Sequence, residues 1–281
     1  MEFLKSRGYQ ALYERIRAGA EAQTPAGKYV MFEILRACAT IVDRKQRFTG
    51  KTLEERRNAF YAALPVGDPL SDKRAKAFDA VAVDRCAGLS GLSLAQADLD
   101  KLLAEAANGG DPGARASLIE QQLMQGRRGR WNSASPTDEQ VESLKQVIAT
   151  RDPAALLIAG RLLANPYDDL TLRIGPGAQP AEPRAMYDAW QVLACDFGYP
   201  CGPDNTRVQS ACAYQGHCDA ASLPDYLSYY ASSPHDSQLA DQYRAILGTA
   251  ARTGDWSQLA VVRGPRVPAA GGIGTGPLGP R

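Results

Sequence analysis

The residues with the most evident chemistry are six cysteines: Cys38, Cys86, Cys195, Cys201, Cys212 and Cys218. The count is even, and the last four make two pairs of C-x5-C spacing. Disulfide formation and zinc ligation both suit such a set. Cys195 ends one helical pattern and Cys201 lies across the following turn; Cys212 ends the next helix and Cys218 lies just past Gly216. A Cys195–Cys212 bridge would join antiparallel helices at positions displaced by roughly one turn, about 5 Å, whereas a disulfide tolerates Cα separations only up to about 7 Å. The expected bridges are therefore Cys195–Cys201 and Cys212–Cys218, each fixing a turn. The zinc alternative has five potential ligands once His217 is added, but structural zinc favours ligand pairs spaced by about two to four residues. A Cys38–Cys86 bridge would close a long loop, worth roughly 4 kcal/mol through the unfolded chain; the alternative is two buried thiols. Disulfides persist only in oxidising compartments. Bridged cysteines therefore imply a periplasmic or secreted protein, and free thiols a cytoplasmic one.

The other chemistry-bearing residues suggest less. His217 and His235 lie in polar loops. Asp236 and Ser237 could be imagined with a histidine as a triad, but no nucleophile-elbow motif supports one. Glu54-Glu55 and Asp168-Asp169 are adjacent in sequence, so their side chains diverge and make no acid/base pair. The one basic, aromatic cluster is Arg127, Arg128, Arg130 and Trp131. It is a candidate partner-binding patch, with a solvated loop between helices as the plainer reading. Tyr226, Tyr229 and Tyr230, at i, i+3 and i+4, read as a seal on the last helix pair rather than a sugar platform. Gly271, Gly272, Gly274 and Gly276 lack the flanking strand and helix of a phosphate loop. No cofactor or metal is expected.

Net charge is +1, so electrostatics give no argument for nucleic acid or an anionic membrane surface. No apolar run is long enough to span a bilayer. Met1 to Lys5 has no apolar stretch ahead of small residues, so no signal peptide is read there; with oxidised cysteines, the chain reads as a mature form whose leader lies outside this sequence.

The elements that must position these residues are helices. Tyr9, Leu12, Tyr13 and Ile16 form one apolar stripe, and Tyr29, Phe32, Leu35, Cys38 and Val42 the next. Thr52 caps a helix from Leu53, and another opens at Ser71-Asp72. From residue 93 the pattern repeats as helix, tight turn, helix. Leu99 to Ala107 leads through Asp111-Pro112 to a second helix, and Val141 to Ile148 leads through Asp152-Pro153 to Leu163. In both, Asp can cap the free N–H groups of the incoming helix and Pro can occupy its first turn without losing a hydrogen bond. Met186 to Cys195, the turn at Phe197 to Cys201, and Asp204 to Ala213 make a third unit. Pro224 to Ala231 and Ser237 to Ala251 make the last pair. Small residues, Gly160 above all, let helix backbones approach. No sustained alternation is present, so little or no strand is expected, and Ile174 to Pro183 reads as a loop. Gly264 to Arg281 is dominated by Gly and Pro and reads as a disordered tail.

Ala106-Ala107-x-x-Gly110-Asp111-Pro112-x-Ala114-x-x-x-Leu118 resembles the α/α repeat of the Sel-one-like and tetratricopeptide group, as does Asp188-Ala189-x-x-x-Leu193-Ala194 followed by Gly198. The resemblance covers roughly residues 93 to 215. The interval between Asp111 and Asp152 is longer than those families keep, and the Tyr-Gly-Gly element is missing. The cysteine-rich third unit also resembles secreted or periplasmic helical proteins of Gram-negative bacteria.

The sequence thus implies an all-α, solenoid-like α/α repeat array with disulfide staples. Its parts are an N-terminal helical layer at 1–92, repeats at 93–260 and a tail at 261–281. Stacked helix pairs leave a curved surface suited to a protein or peptide partner. The expected function is a non-enzymatic interaction or scaffold protein of the bacterial cell envelope. The alternatives are a cell-wall or glycan hydrolase using two carboxylates and a periplasmic immunity or inhibitor protein.

Overall fold

A computed structural model describes residues 2–39, 52–89, 92, 95–125 and 135–264. The chain is mostly helical. α1 (Glu2–Lys5), α2 (Tyr9–Ala18) and α3 (Pro25–Ala37) are followed by α4 (Leu53–Ala62), α5 (Ser71–Ala82) and a 3-10 turn, Asp84–Cys86. Then come α6 (Gln96–Asn108) with α7 (Pro112–Gln125), and α8 (Asp138–Ala149) with α9 (Pro153–Ala164). After a hairpin, α10 (Pro183–Asp196) and α11 (Thr206–Gln215) precede α12 (Leu223–Tyr226), a π-helical turn at Leu227–Ala231, and α13 (Pro234–Thr253).

Local chemistry explains these boundaries. Asp111 Oδ1 accepts from Ala114 N at 2.8 Å, and Asp152 Oδ1 accepts from Ala155 N at 2.8 Å. The two Asp-Pro sites are thus the same cap on α7 and α9. Thr52 with Glu55, and Thr137 with Gln140, form reciprocal capping boxes on α4 and α8. Gly216 and Gly254 end α11 and α13 in the left-handed conformation that a side chain would strain.

The sequence pattern predicts little or no strand; the described residues contain three strands. β1 (Leu170–Ile174) is central, pairing antiparallel with β2 (Gln179–Pro180) on one side and β3 (Leu259–Arg263) on the other. Leu170 stands opposite Arg263 and Ile174 opposite Leu259. The segment from Ile174 to Pro183, expected as a loop, is a tight hairpin leading into α10. Leu170, Leu172 and Ile174 turn inward and join the main core. Most of the ladder is made with β3, so the pairing that stabilises β1 lies far away in sequence.

One core runs from Tyr29 and Phe32 of α3, through α6 to α10, to Leu247 of α13 and Leu259 of β3. Gly160 lets α9 and α10 close up: a Cβ there would lie 2.3 Å from Trp190 Cγ. Gly113 does the same for α7 against the Tyr29 ring. The contacts form a circuit. α3 packs on α6, α6 on α7, α7 on α9 and α9 on α10. Val192 and Cys195 of α10 meet the cluster of Val208 and Ala211 on α11. α11 packs on α5, the 3-10 turn after α5 on α2, and α2 on α3. The N-terminal helices therefore touch α6 through α3 and α11 through α5, where Arg74 Nε donates to Ala213 O at 3.0 Å.

All six cysteines are bridged: Cys38–Cys86, Cys195–Cys201 and Cys212–Cys218, with Cα separations of 5.6, 5.7 and 4.2 Å. The two short bridges are those that helix displacement favoured. No thiolate of the set remains to ligate zinc.

Candidate functional site

Inside the circuit lies a groove with a cavity of about 420 Å³, within the range of small-ligand sites. Each helix around it contributes one face. α3 supplies Tyr29, Glu33 and Arg36, spaced i, i+4, i+7; α9 supplies Ala154, Leu157, Ile158 and Arg161 at the same period. α10 gives Tyr187 and Gln191, one turn apart, and α11 gives its N-terminal turn with Thr206 and Arg207. Tyr199, from the turn stapled by Cys195–Cys201, completes the wall.

The polar groups are held in order. Asp188 is only 2% exposed, and its carboxylate accepts from Arg184 Nε at 3.1 Å, Gln191 Nε2 at 3.1 Å and Ser232 Oγ at 2.6 Å. This fixes the Gln191 amide, whose oxygen accepts from Arg207 Nη1. The Arg207 guanidinium also stands 5.6 Å from the ring centroids of both Tyr187 and Tyr226, an arrangement that favours a cation. Asn205, the cap of α11, accepts from Arg207 N at 2.9 Å and donates to Pro200 O at 2.8 Å. Arg207 thus sits on a rigid support.

The three groove arginines differ in their partners. Arg36 donates to Glu33 Oε2 at 3.0 Å, and Arg161 pairs with Glu120. Arg207 has no carboxylate partner among the described residues; it has only the Gln191 amide and two aromatic faces. Glu33 Oε1, by contrast, is a buried acceptor, shut off from solvent and without a hydrogen-bond donor among the described residues. Tyr29 donates to or accepts from Ser117 Oγ at 3.0 Å. Burial pushes the Tyr29 and Tyr199 phenols above their ordinary range, keeping both neutral.

A second hollow of about 450 Å³, lined by Phe32, Leu99, Leu103 and Met124, shares Arg36 with the first and extends the groove along α3 and α7. A third, of about 520 Å³, lies between α5 and α11 against the Cys212–Cys218 bridge. It is basic, but its Arg7 and Lys73 are exposed and paired with Asp204 and Asp219.

Of the other residues singled out in the sequence, His217, Tyr226 and Tyr230 form an aromatic cluster. Asp236 serves the cap of α13, bonding both ways with Ser233. His217 stacks on Tyr230 at 4.4 Å. Of the three tyrosines read as a seal, only Tyr226 is buried; Tyr229 is 78% exposed. Tyr226 and Tyr230 still stack, with ring centroids 6.5 Å apart, while Tyr229, within the π-helical turn that begins at Leu227, faces solvent. Arg127, Arg128, Arg130 and Trp131 lie outside the described residues, as does all of the tail beyond Gly264. Among the described residues no group of three His, Cys, Asp or Glu is placed to hold a metal ion, and no helix is long and apolar enough to cross a membrane.

The groove residues were not singled out in the sequence. Their only sequence trace is polar or aromatic side chains at helical spacing on faces that also carry core residues, such as Glu33 between Phe32 and Ile34. No protein-family model, curated protein or solved structure matches the chain.

Proposed function

We propose that this protein is a non-enzymatic partner-binding protein that offers the groove between α3, α9, α10 and α11 to a protein or peptide. The observation that carries the reading is Arg207: a cation without a carboxylate partner, held in a concave wall by an amide and two tyrosine rings. Rigid aromatic and arginine anchors in a desolvated hollow are the groups that dominate recognition energies. The groove's carboxylates, Glu33 and Glu120, are each ion-paired with an arginine, which favours binding over glycan hydrolysis.

In this reading the helix pairs α6/α7, α8/α9 and α10/α11 are α/α repeats of the Sel-one-like kind. The shared Asp-Pro cap and the packing of α7 on α9 support it. Three disulfides support an oxidising site of action, the cell envelope or the exterior.

The test is a photo-crosslinking residue at Leu157 in the groove, with Val66, which is fully exposed, as the control position. A partner captured from Leu157 alone should bind the purified protein and lose affinity on Tyr187→Ala. Equal capture from both positions, or a partner indifferent to Tyr187→Ala, would overturn the reading. Thiol alkylation in intact cells tests the compartment: six cysteines should react only after reduction.

A further inference from the structure

The three disulfides differ in what can reach them. Cys38 and Cys86 are 0% and 7% exposed, inside the cluster of Tyr9, Ile34 and Leu89. Cys195 and Cys201 are half-buried against the apolar cluster of Val208, Ala211 and Leu223. Cys212 and Cys218, by contrast, both line the hollow of about 520 Å³ between α5 and α11. The two ends of that bridge are unlike. Cys212 sits in the last turn of α11, buried with Ala77 and Phe78. Cys218 lies past the Gly216 cap and is half-buried.

The charges of the hollow favour one kind of visitor. Its α5 wall presents Lys73, Lys76, Ala77 and Ala80, which share one helical face. Each nearby carboxylate already has a cation: Asp219 takes Lys73 at 3.5 Å, Asp204 takes Arg7 at 3.1 Å and Asp84 takes Arg57 at 3.8 Å. The Lys73–Asp219 pair sets a lysine beside the residue that follows Cys218. Lys76 and Arg85 have no carboxylate partner among the described residues; Arg85 donates to Thr206 Oγ1 at 2.7 Å instead. The hollow is therefore net positive, and Lys76 adjoins Ala77, which clusters with Cys212.

We infer that the Cys212–Cys218 bridge is a thiol-exchange site for small anionic thiols, which enter this hollow and bond to Cys218. The incoming thiolate attacks Cys218 Sγ, the more accessible sulfur. A new S–S bond forms, the Cys212–Cys218 bond breaks, and its electron pair leaves on Cys212 Sγ. That thiolate then takes a proton from water. The incoming sulfur is oxidised and Cys212 is reduced, so no other oxidant or reductant is consumed. Attack by Cys212 on the mixed disulfide reverses the step and restores the bridge. Exchange depends on access to the sulfur and on the leaving thiolate. The net positive hollow attracts the first anion and stabilises the second. The site lies outside the groove and acts without a partner there.

The test is incubation of the full-length, disulfide-intact protein with reduced glutathione, a monothiol of net negative charge. Samples are alkylated at intervals and mapped by peptide mass spectrometry. The first product should carry glutathione on Cys218 and the alkyl group on Cys212, with the other four cysteines still bridged. Lys76→Gln should slow this step severalfold for glutathione and leave cysteamine, a cationic thiol, unchanged or faster. Comparing variant with native protein for each thiol cancels the thiols' own reactivities, and Lys76→Arg should restore the glutathione rate. The mapping needs no variant, so a misfolded variant does not spoil the test. Earlier opening of Cys195–Cys201 or Cys38–Cys86, an adduct on Cys212 first, or no adduct while the protein stays folded would overturn the inference. So would equal slowing of both thiols by Lys76→Gln. None of these outcomes bears on the crosslinking test of the groove.

Discussion

Helices α9 and α4 are similar in length and opposite in how they are held. α9 buries Leu156, Ile158, Ala159, Gly160, Leu162 and Leu163 between its neighbours, and a capping aspartate fixes its start. α4 has no buried residue. It is kept in place by a capping box, by Phe60 stacked on Phe78 at 4.0 Å, and by Asp79 of α5. That carboxylate takes Arg57 Nε at 2.9 Å and Tyr61 OH at 2.6 Å. The helices from α6 to α10 are therefore held by close packing, which volume changes upset. The N-terminal helices have apolar clusters around Ile34 and Phe78, but the outer helix α4 depends on polar contacts and one aromatic stack. Cys38–Cys86 staples the region covalently. Redox state, pH and salt upset these.

The comparison is tested most severely at the staple. Replacing Cys38 and Cys86 together by Ser removes a link across a sequence separation of 48 residues and should cost roughly 4 kcal/mol. Hydrogen exchange should rise first in α2 to α5 and last in α9. Faster exchange in α9 at the outset would show that the two regions are not held differently. Gly160→Val forces side-chain atoms into the Trp190 ring and should cost about 1–3 kcal/mol or more, seen as a lower urea midpoint that added salt does not restore. Asp79→Asn should act less, loosening α4 alone, with a loss that shrinks in high salt; protease cutting between residues 53 and 62 would report it.

The smallest and sharpest effects concern pH. In the N-terminal layer, the Leu70 N–H and then the Arg74 guanidinium hold the Asp68 carboxyl below its usual range. Its contribution is complete above the ordinary carboxylate value and is lost as pH falls through the lower folded value. The stability gap between the native protein and Asp68→Asn should close on acidification. In the turn between α6 and α7, burial pushes the Asp111 carboxyl up. There the folded state takes up its proton first, so the native protein should gain on Asp111→Asn as pH falls toward the ordinary carboxylate value. Asn keeps the cap, so the charge is isolated. Paired urea titrations from neutral pH to about pH 3 would show the two gaps moving in opposite directions; parallel movement would refute the contrast.

What the sequence disclosed follows the range of the interactions concerned. The Asp-Pro caps, the Thr52 cap and the two short disulfides depend on residues a few places apart, and all were legible. The Cys38–Cys86 bridge was legible from two cysteines on the apolar faces of two helices, with buried free thiols as the alternative. β1 was not legible: five residues alternate too briefly, and the strand that completes its ladder, Leu259–Arg263, is remote. The groove was hidden for a related reason. Tyr29, Glu33 and Arg36 are regularly spaced on α3, and Arg207 stands at an ordinary helix start. That they face one cavity depends on α5 gripping α11, which no local pattern encodes.

That grip also limits how this architecture can change. An open stack of helix pairs can grow when a unit is duplicated, because a free end only moves outward. Here α3 packs on α6 while α5 packs on α11, so both ends of that row of helices are already covered. An inserted copy would have to break one of those two contacts. The row of helices from α6 to α11 is therefore closed off by α3 and α5, and loops and surface residues can vary more readily than the number of helix pairs.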